Sequence, residues 1–195
     1  SNPHSFTGEF LRPVLELHMA RAGERFRGIR MPIAYSAAGM FGQPAGHGQP
    51  GVLLDPAFRE GAKVLADLDL SLDVWCLHTQ LGELIDFADA LPGLAIVLDH
   101  IGTPEVLGVW AGRADDARAD WAARIRELAR RPNVTIKVGG MGMDIGRAIG
   151  AETGPAGSEE LAGKWRPYVE TCIEAFTPRR AMFESNFPPD KISGS

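Results

Sequence analysis

Ala95-Ile96-Val97-Leu98-Asp99-His100 is the stretch on which the reading of this sequence turns. Four consecutive apolar residues end abruptly in an aspartate and a histidine. Such a run suits a short strand buried on both faces, as in a parallel sheet covered by helices. Alternation along it points Asp99 and His100 to opposite sides.

Working outward, the same grammar repeats. Upstream, Leu81 to Ala90 carries Leu81, Leu84, Ile85 and Ala88 at helical spacing, and Pro92-Gly93 breaks it. Before that helix, Leu72-Asp73-Val74-Trp75-Cys76-Leu77-His78 reads as a strand. Asp55-Pro56 opens an earlier helix with proline at its first position, and Phe58, Ala62 and Leu65 share one face. Phe26-Arg27-Gly28-Ile29-Arg30 is the first strand, after an amphipathic helix from about Phe10 to Ala22. Val14, Leu15, Leu17 and His18 are available to the inner side of that helix. Downstream, Asp115 to Ala129 places Trp121, Ile125 and Leu128 on one stripe. Val134-Thr135-Ile136-Lys137-Val138 is the fourth strand, ending in Gly139-Gly140. Ser158, as a cap, opens a helix to Phe176, with Glu159 and Glu160 where the helix dipole favours them. Ala181 to Phe187 is the fifth strand, closed by Pro188-Pro189. Two Gly-rich stretches, Ser36–Gly51 and Met141–Gly157, read as long loops, and residues 1–10 as a disordered or tag-like tail.

Alternating strands and helices read as βα units around a parallel sheet. Five such units do not complete an eight-stranded barrel, which takes ~250 residues. On periodicity alone, a small open α/β sheet and part of a barrel stay equally open.

Totals narrow the function classes. The 195 residues, 45% hydrophobic and 23% charged with net charge −5, suit one soluble domain. No basic block or stripe appears, which argues against nucleic acid as a partner. No run approaches the ~18–20 apolar residues of a membrane span, and the N-terminus lacks a signal-peptide pattern. Cys76 and Cys172 lie inside apolar runs and read as small core residues in a reduced compartment, with cytoplasm as the default.

In parallel α/β folds chemistry gathers at the C-terminal ends of the strands. Polar groups stand there at Arg30, His78, Asp99-His100 and Ser185-Asn186. His100, delivered by an apolar strand into the turn Ile101-Gly102-Thr103-Pro104, is the strongest candidate for acid–base work. Arg30 suits a carboxylate or a developing oxyanion. His78 and, more weakly, Gln80 suit substrate orientation, and Asn186 can orient water or substrate but cannot take a proton. Lys137 reads as an ion-pair partner of Asp99 or Glu184, or as a pocket lysine; Glu184 reads as an acid or as that lysine's neutraliser. Gly139-Gly140-Met141-Gly142 imitates a phosphate loop, but no Walker lysine follows. His4, His18 and His47 carry no role.

Ile96–Gly102 and Met182–Pro188, with Asp190-Lys191 behind, resemble the amidohydrolase-related family of TIM-barrel hydrolases. The relevant branch holds the sugar-lactone and pyrone-dicarboxylate lactonases. Phe26–Arg30, Gln80–Leu84 and Trp165–Glu170 fit the same pattern, so the likeness runs from about Leu11 to Ser195. It implies an α/β fold that is an incomplete (β/α)₈ TIM barrel, the last five βα units in one parallel sheet. The first three strands, including the one with the family's His-x-His pair, fall outside this sequence, which holds no His-x-His. The resemblance implies a hydrolase of a lactone or amide bond in a small carboxylated molecule. In it His100 and Asn186 are catalytic and Arg30, His78 and Gln80 bind substrate. Asn186 stands where the family has an aspartate, which removes an anionic base or ligand. No metal is therefore expected on this chain, with room for a divalent metal such as zinc in the full-length protein. On its own this piece is expected to be inactive, and its unpaired strand edges to be covered by a homo-oligomer or another segment. The alternative is a non-catalytic α/β small-molecule-binding domain.

Overall fold

Apolar residues facing both ways make the strands, and the computed structural model, which describes residues 8–40, 49–143 and 156–192, places five of them in one sheet. They are β1 (Gly28–Pro32), β2 (Ser71–Trp75), β3 (Ile96–Leu98), β4 (Val134–Val138) and β5 (Ala181–Phe183). Spatial order follows chain order, and every pairing is parallel. Register sets Leu72 opposite Ile96, Ile96 opposite Val134, and Ile136 opposite Ala181.

The helices are α1 (Gly8–Ala22), α2 (Pro56–Asp67), α3 (Leu81–Ala90), α4 (Ala114–Leu128) and α5 (Ser158–Phe176). Their apolar stripes meet the sheet in one main cluster. Phe58, Ala62 and Leu65 of α2, Leu81, Leu84 and Phe87 of α3, and Trp121, Ile125 and Leu128 of α4 are all buried there. Cys76 and Cys172 are buried and unpaired, and burial pushes the Cys172 thiol up to about 12, so both behave as apolar filler. Asp55 caps α2 by accepting from the Ala57 N–H at 2.7 Å, with Pro56 at the first helical position.

Several expectations need correction. β1 starts two residues later than expected, so Arg30 lies in mid-strand. β2 and β5 stop at Trp75 and Phe183, because the chain turns out of the ladder before His78 and Asn186. Only Leu15 of the four residues proposed for the inner side of α1 is buried; Leu11 and Met19 flank it, one turn either way. Val14 and Leu17 are exposed, and His18 stacks on Phe26 at 5.4 Å. The cap of α5 is Gly157 rather than Ser158, which is the first helical residue. Helix α1 already includes Gly8–Phe10. The remainder of the expected tail, His47, and residues 144–155 of the second glycine-rich loop lie outside the described residues.

Among the described residues no helix is long and apolar enough to cross a membrane. The two outer strands, β1 and β5, each pair on one side only.

Candidate functional site

Beyond Leu98 the chain leaves the ladder through three successive left-handed residues, His100 (φ 54°), Ile101 (φ 53°) and Gly102 (φ 64°). Only glycine adopts this conformation freely; each of the other two costs roughly 1–2 kcal/mol. Two contacts hold the turn. Trp121 Nε1 of α4 donates to the Ile101 carbonyl at 2.7 Å, and the His100 N–H donates to Glu184 Oε1 at 3.0 Å.

This turn cancels the alternation expected of Asp99 and His100, and both meet Arg30. Arg30 Nε donates to Asp99 Oδ2 at 2.6 Å, and its Nη2 lies 3.1 Å from His100 Nε2. The other ring nitrogen, Nδ1, is 2.5 Å from Glu184 Oε1. Asp99 is fully buried, and its second oxygen lies 2.8 Å from Lys137 Nζ, which also binds Asp73 Oδ2 at 2.5 Å. Asp73, Lys137, Asp99, Arg30, His100 and Glu184 thus form one chain of charge across β2, β4, β3, β1 and the end of β5.

Burial alone would lower the Lys137 and Arg30 pKa values. The Arg30 hydrogen bond to Asp99, and for Lys137 its hydrogen bond to Asp73 and ion pair with Asp99, outweigh it and hold both above their usual values. Of the two partners foreseen for Lys137, Asp99 is present, and Asp73 takes the place of Glu184. The Arg30 side chain remains 48% exposed, so its guanidinium can still meet a ligand.

Asn186 (φ 44°) does not touch His100 in any hydrogen bond. Its Nδ2 donates to Asp190 Oδ1 at 2.6 Å. Burial raises the Asp190 pKa, against the bonds from Asn186 and the Gly142 N–H, so this carboxyl is pushed toward its neutral form. A 370 Å³ cavity beside it is lined by Glu184, Asp190, Val138, Trp165 and Phe183.

His78 and Gln80 sit elsewhere. His78 is fully buried in a short 3₁₀ turn, and its Nδ1 accepts from the Glu105 N–H at 2.7 Å. Burial pushes its pKa down to about 4, the nearby Asp120 notwithstanding. A neutral, enclosed imidazole of this kind ties the β2 and β3 loops together and is out of reach of a substrate. Gln80 joins the loops after β1 and β2: Oε1 accepts from Tyr35 N and Leu77 N, and Nε2 donates to Ile33 O. It lines a 500 Å³ cavity with Tyr35, Thr79, Glu105 and Leu107, but its own amide is committed to main chain.

Of the residues singled out in the sequence, Arg30 and His100 are brought together, while Asn186 bonds Asp190 instead. Asp73 and Asp190 were not foreseen, and Glu184 was foreseen without its histidine. A charge between Leu72 and Val74 inside a buried strand was the signal for Asp73, since such a charge requires a partner.

The class this arrangement resembles is an amidohydrolase-type barrel site: parallel strands, with Asp99, His100 and Glu184 just past the ends of β3 and β5 and Arg30, Asp73 and Lys137 within β1, β2 and β4. The chain belongs to the amidohydrolase family, whose profile matches residues 4–192. An uncharacterized protein of Sinorhizobium fredii, y4mH, is 34% identical over 99% of this chain and 59% of its own length. An L-fucono-1,5-lactonase of Burkholderia multivorans is 30% identical over 72% of this chain and 45% of its own. Among solved structures, a Burkholderia multivorans amidohydrolase with bound HEPES superposes with TM-score 0.71 at 27% identity, covering 95% of this chain and 59% of that one. The chain therefore spans about half the length of these relatives, from 45% to 59%, and its sheet is an incomplete (β/α)₈ barrel.

The same Burkholderia amidohydrolase has also been solved with bound zinc. The described residues here do not fit such an ion. They contain no group of three or more His, Cys, Asp or Glu able to hold one. His100 is engaged at both ring nitrogens, and the Asp99 oxygens already face two cations.

Proposed function

We propose that this chain carries the histidine side of a hydrolase site that opens a cyclic ester, or the corresponding amide, of a small carboxylated molecule. The observation that carries the reading is His100, locked between Glu184 and Arg30 past the ends of the strands. Family membership and lactonase-named relatives support the lactone as substrate class. In this reading Arg30 uses its exposed guanidinium edge to bind the substrate's anionic group. His100 takes a proton from water as the water oxygen bonds to the carbonyl carbon. The ring C–O bond then breaks, and the proton passes to the departing oxygen, leaving an open hydroxy acid. Asn186 holds Asp190 at the rim, while His78 and Gln80 shape the loops that frame the site.

A second reading, a non-catalytic α/β domain that binds a small molecule, is favoured by one feature: Asn186 offers an amide where the family has an aspartate. One experiment separates the two. A panel of lactones is assayed with this chain and with the full gene product, wild type and His100→Ala, alongside elemental analysis for metal. Hydrolysis lost in His100→Ala is the expected result. Full hydrolysis by His100→Ala refutes the role of His100, and no hydrolysis by any form moves the protein to the binding reading.

A further inference from the structure

The amide at position 186 leaves open where the negative charge serving His100 comes from, and the turn after β3 supplies an answer. One carboxylate oxygen, Glu184 Oε1, faces both the ring Nδ1 (2.5 Å) and the main-chain N–H (3.0 Å) of His100. A carboxylate only accepts hydrogen bonds, so the proton belongs on Nδ1. On the opposite edge, Nε2 faces Arg30 Nη2 at 3.1 Å, and a guanidinium only donates. Both neighbours therefore demand the same form of the ring, with Nδ1 protonated and Nε2 unprotonated, its lone pair facing the Arg30 donor.

The backbone is shaped around this pair. A Cβ on Gly140 (φ 71°) would come within 2.5 Å of His100 Cβ and 2.6 Å of its Nδ1, and one on Gly139 would collide with Glu184. A Cβ on Gly142 would crowd Asp190 at 2.7 Å. The glycine-rich run after β4 is thus a seat for Glu184, His100 and Asp190, with no phosphate needed to account for it.

We propose that Glu184 is a positioning residue for His100: it fixes the Nδ1–H tautomer, leaves Nε2 as the nitrogen that exchanges protons, and supplies the negative charge that Asn186 lacks. The geometry stands by itself; only the kinetic consequence rests on the hydrolase reading above. The sequence spacing is part of the device, because Glu184 and residue 186 share the end of one strand. A carboxylate moved two positions back reaches the histidine from the Nδ1 side.

The test is the tautomer of His100, read from long-range ¹H–¹⁵N correlations on histidine-labelled chain with the ring neutral and assigned by its loss in His100→Asn. Wild type is expected to show Nδ1–H. Glu184→Ala is expected to shift the ring toward Nε2–H, while Glu184→Gln, whose amide oxygen still accepts, retains Nδ1–H. An Nε2–H ring in the wild type overturns the proposal even if neither variant folds, and an unchanged tautomer in a folded Glu184→Ala overturns it as well. In the full gene product Glu184→Gln is expected to keep KM and lose kcat by roughly 10–100-fold, the scale on which partners that orient a ligand histidine act. An unchanged kcat refutes the role of the charge. Absence of hydrolysis in the wild type defeats the hydrolase reading and leaves the tautomer to decide this one.

Discussion

Replacing Trp121 by phenylalanine tests whether α4 pins the turn that carries His100. Trp121 is fully buried, packs at 4.9 Å against Tyr168, and donates from Nε1 to the Ile101 carbonyl at 2.7 Å. Phenylalanine keeps an aromatic ring but removes the donor, leaving a buried carbonyl unsatisfied at about 1–3 kcal/mol. The smaller ring adds a packing loss of about 1 kcal/mol, well below the ~3–5 kcal/mol of truncation to alanine. Together the expected cost is about 2–4 kcal/mol. With a urea dependence of about 2 kcal/mol per molar, the unfolding midpoint, followed by circular dichroism, falls by roughly 1–2 M. Trp110 supplies the control. Its Nε1 is buried with no hydrogen-bond partner among the described residues. Trp110→Phe therefore deletes an unsatisfied donor, and its midpoint should move by no more than about 0.5 kcal/mol in equivalent stability. Equal shifts for the two variants would refute the assignment of the Trp121 bond as the anchor of the turn.

Two further outcomes follow from burial. Because His78 is pushed down to about 4 from an ordinary 6.5, the unfolded chain binds its proton first on acidification. Its contribution is complete above pH 6.5 and is lost as pH falls toward 4, a change of at most about 3 kcal/mol. Urea midpoints between pH 7 and 4.5 should fall less steeply in His78→Asn, whose amide oxygen can replace Nδ1; an identical pH slope would count against this account. The strands β1 and β5 pair on one side only, and large apolar residues are exposed at Phe183 (86% exposed), which ends β5, and at Phe187 beyond it. Sedimentation of the isolated chain is expected to show self-association through these edges, and a stable, monodisperse monomer would be the contrary result.

Where the sequence could be read, one physical signal was enough. Ile96-Val97-Leu98 is apolar on both faces, and Trp121, Ile125 and Leu128 recur at helical spacing; each pattern is satisfied by burial alone. Asp55-Pro56 is a local signal with a local cause, and the cap formed as expected. Arg30 and His100 were legible because ionic groups next to apolar strands have few places to go. What stayed hidden depends on contacts distant in sequence. Nothing local marks His100 and Ile101 as left-handed, since the turn is held by Trp121 and Glu184 from two other elements. His78 reads like His100 as a strand-end histidine. Only the packing of the β3 loop over it, with the Glu105 N–H on Nδ1, separates His78 from the ring that meets Arg30 and Glu184.

The ionic chain also decides what kind of chemistry the site can support. Lys137 is clamped by Asp73 and Asp99, and its raised pKa keeps it an ammonium ion, so it cannot serve as an amine nucleophile. Asp99 has no exposed surface and faces a cation at each oxygen, which leaves it no room to accept a proton from a substrate. Asn186 cannot ionise, and His78 is sealed. Arg30 remains as a fixed positive charge with an open edge, and His100 as the imidazole that faces it. Fixed charge and imidazole edge sit 3.1 Å apart, at Arg30 Nη2 and His100 Nε2. In the hydrolase reading proposed above, a ligand anion drawn to Arg30 would meet the Nε2 edge of His100, the edge opposite Glu184.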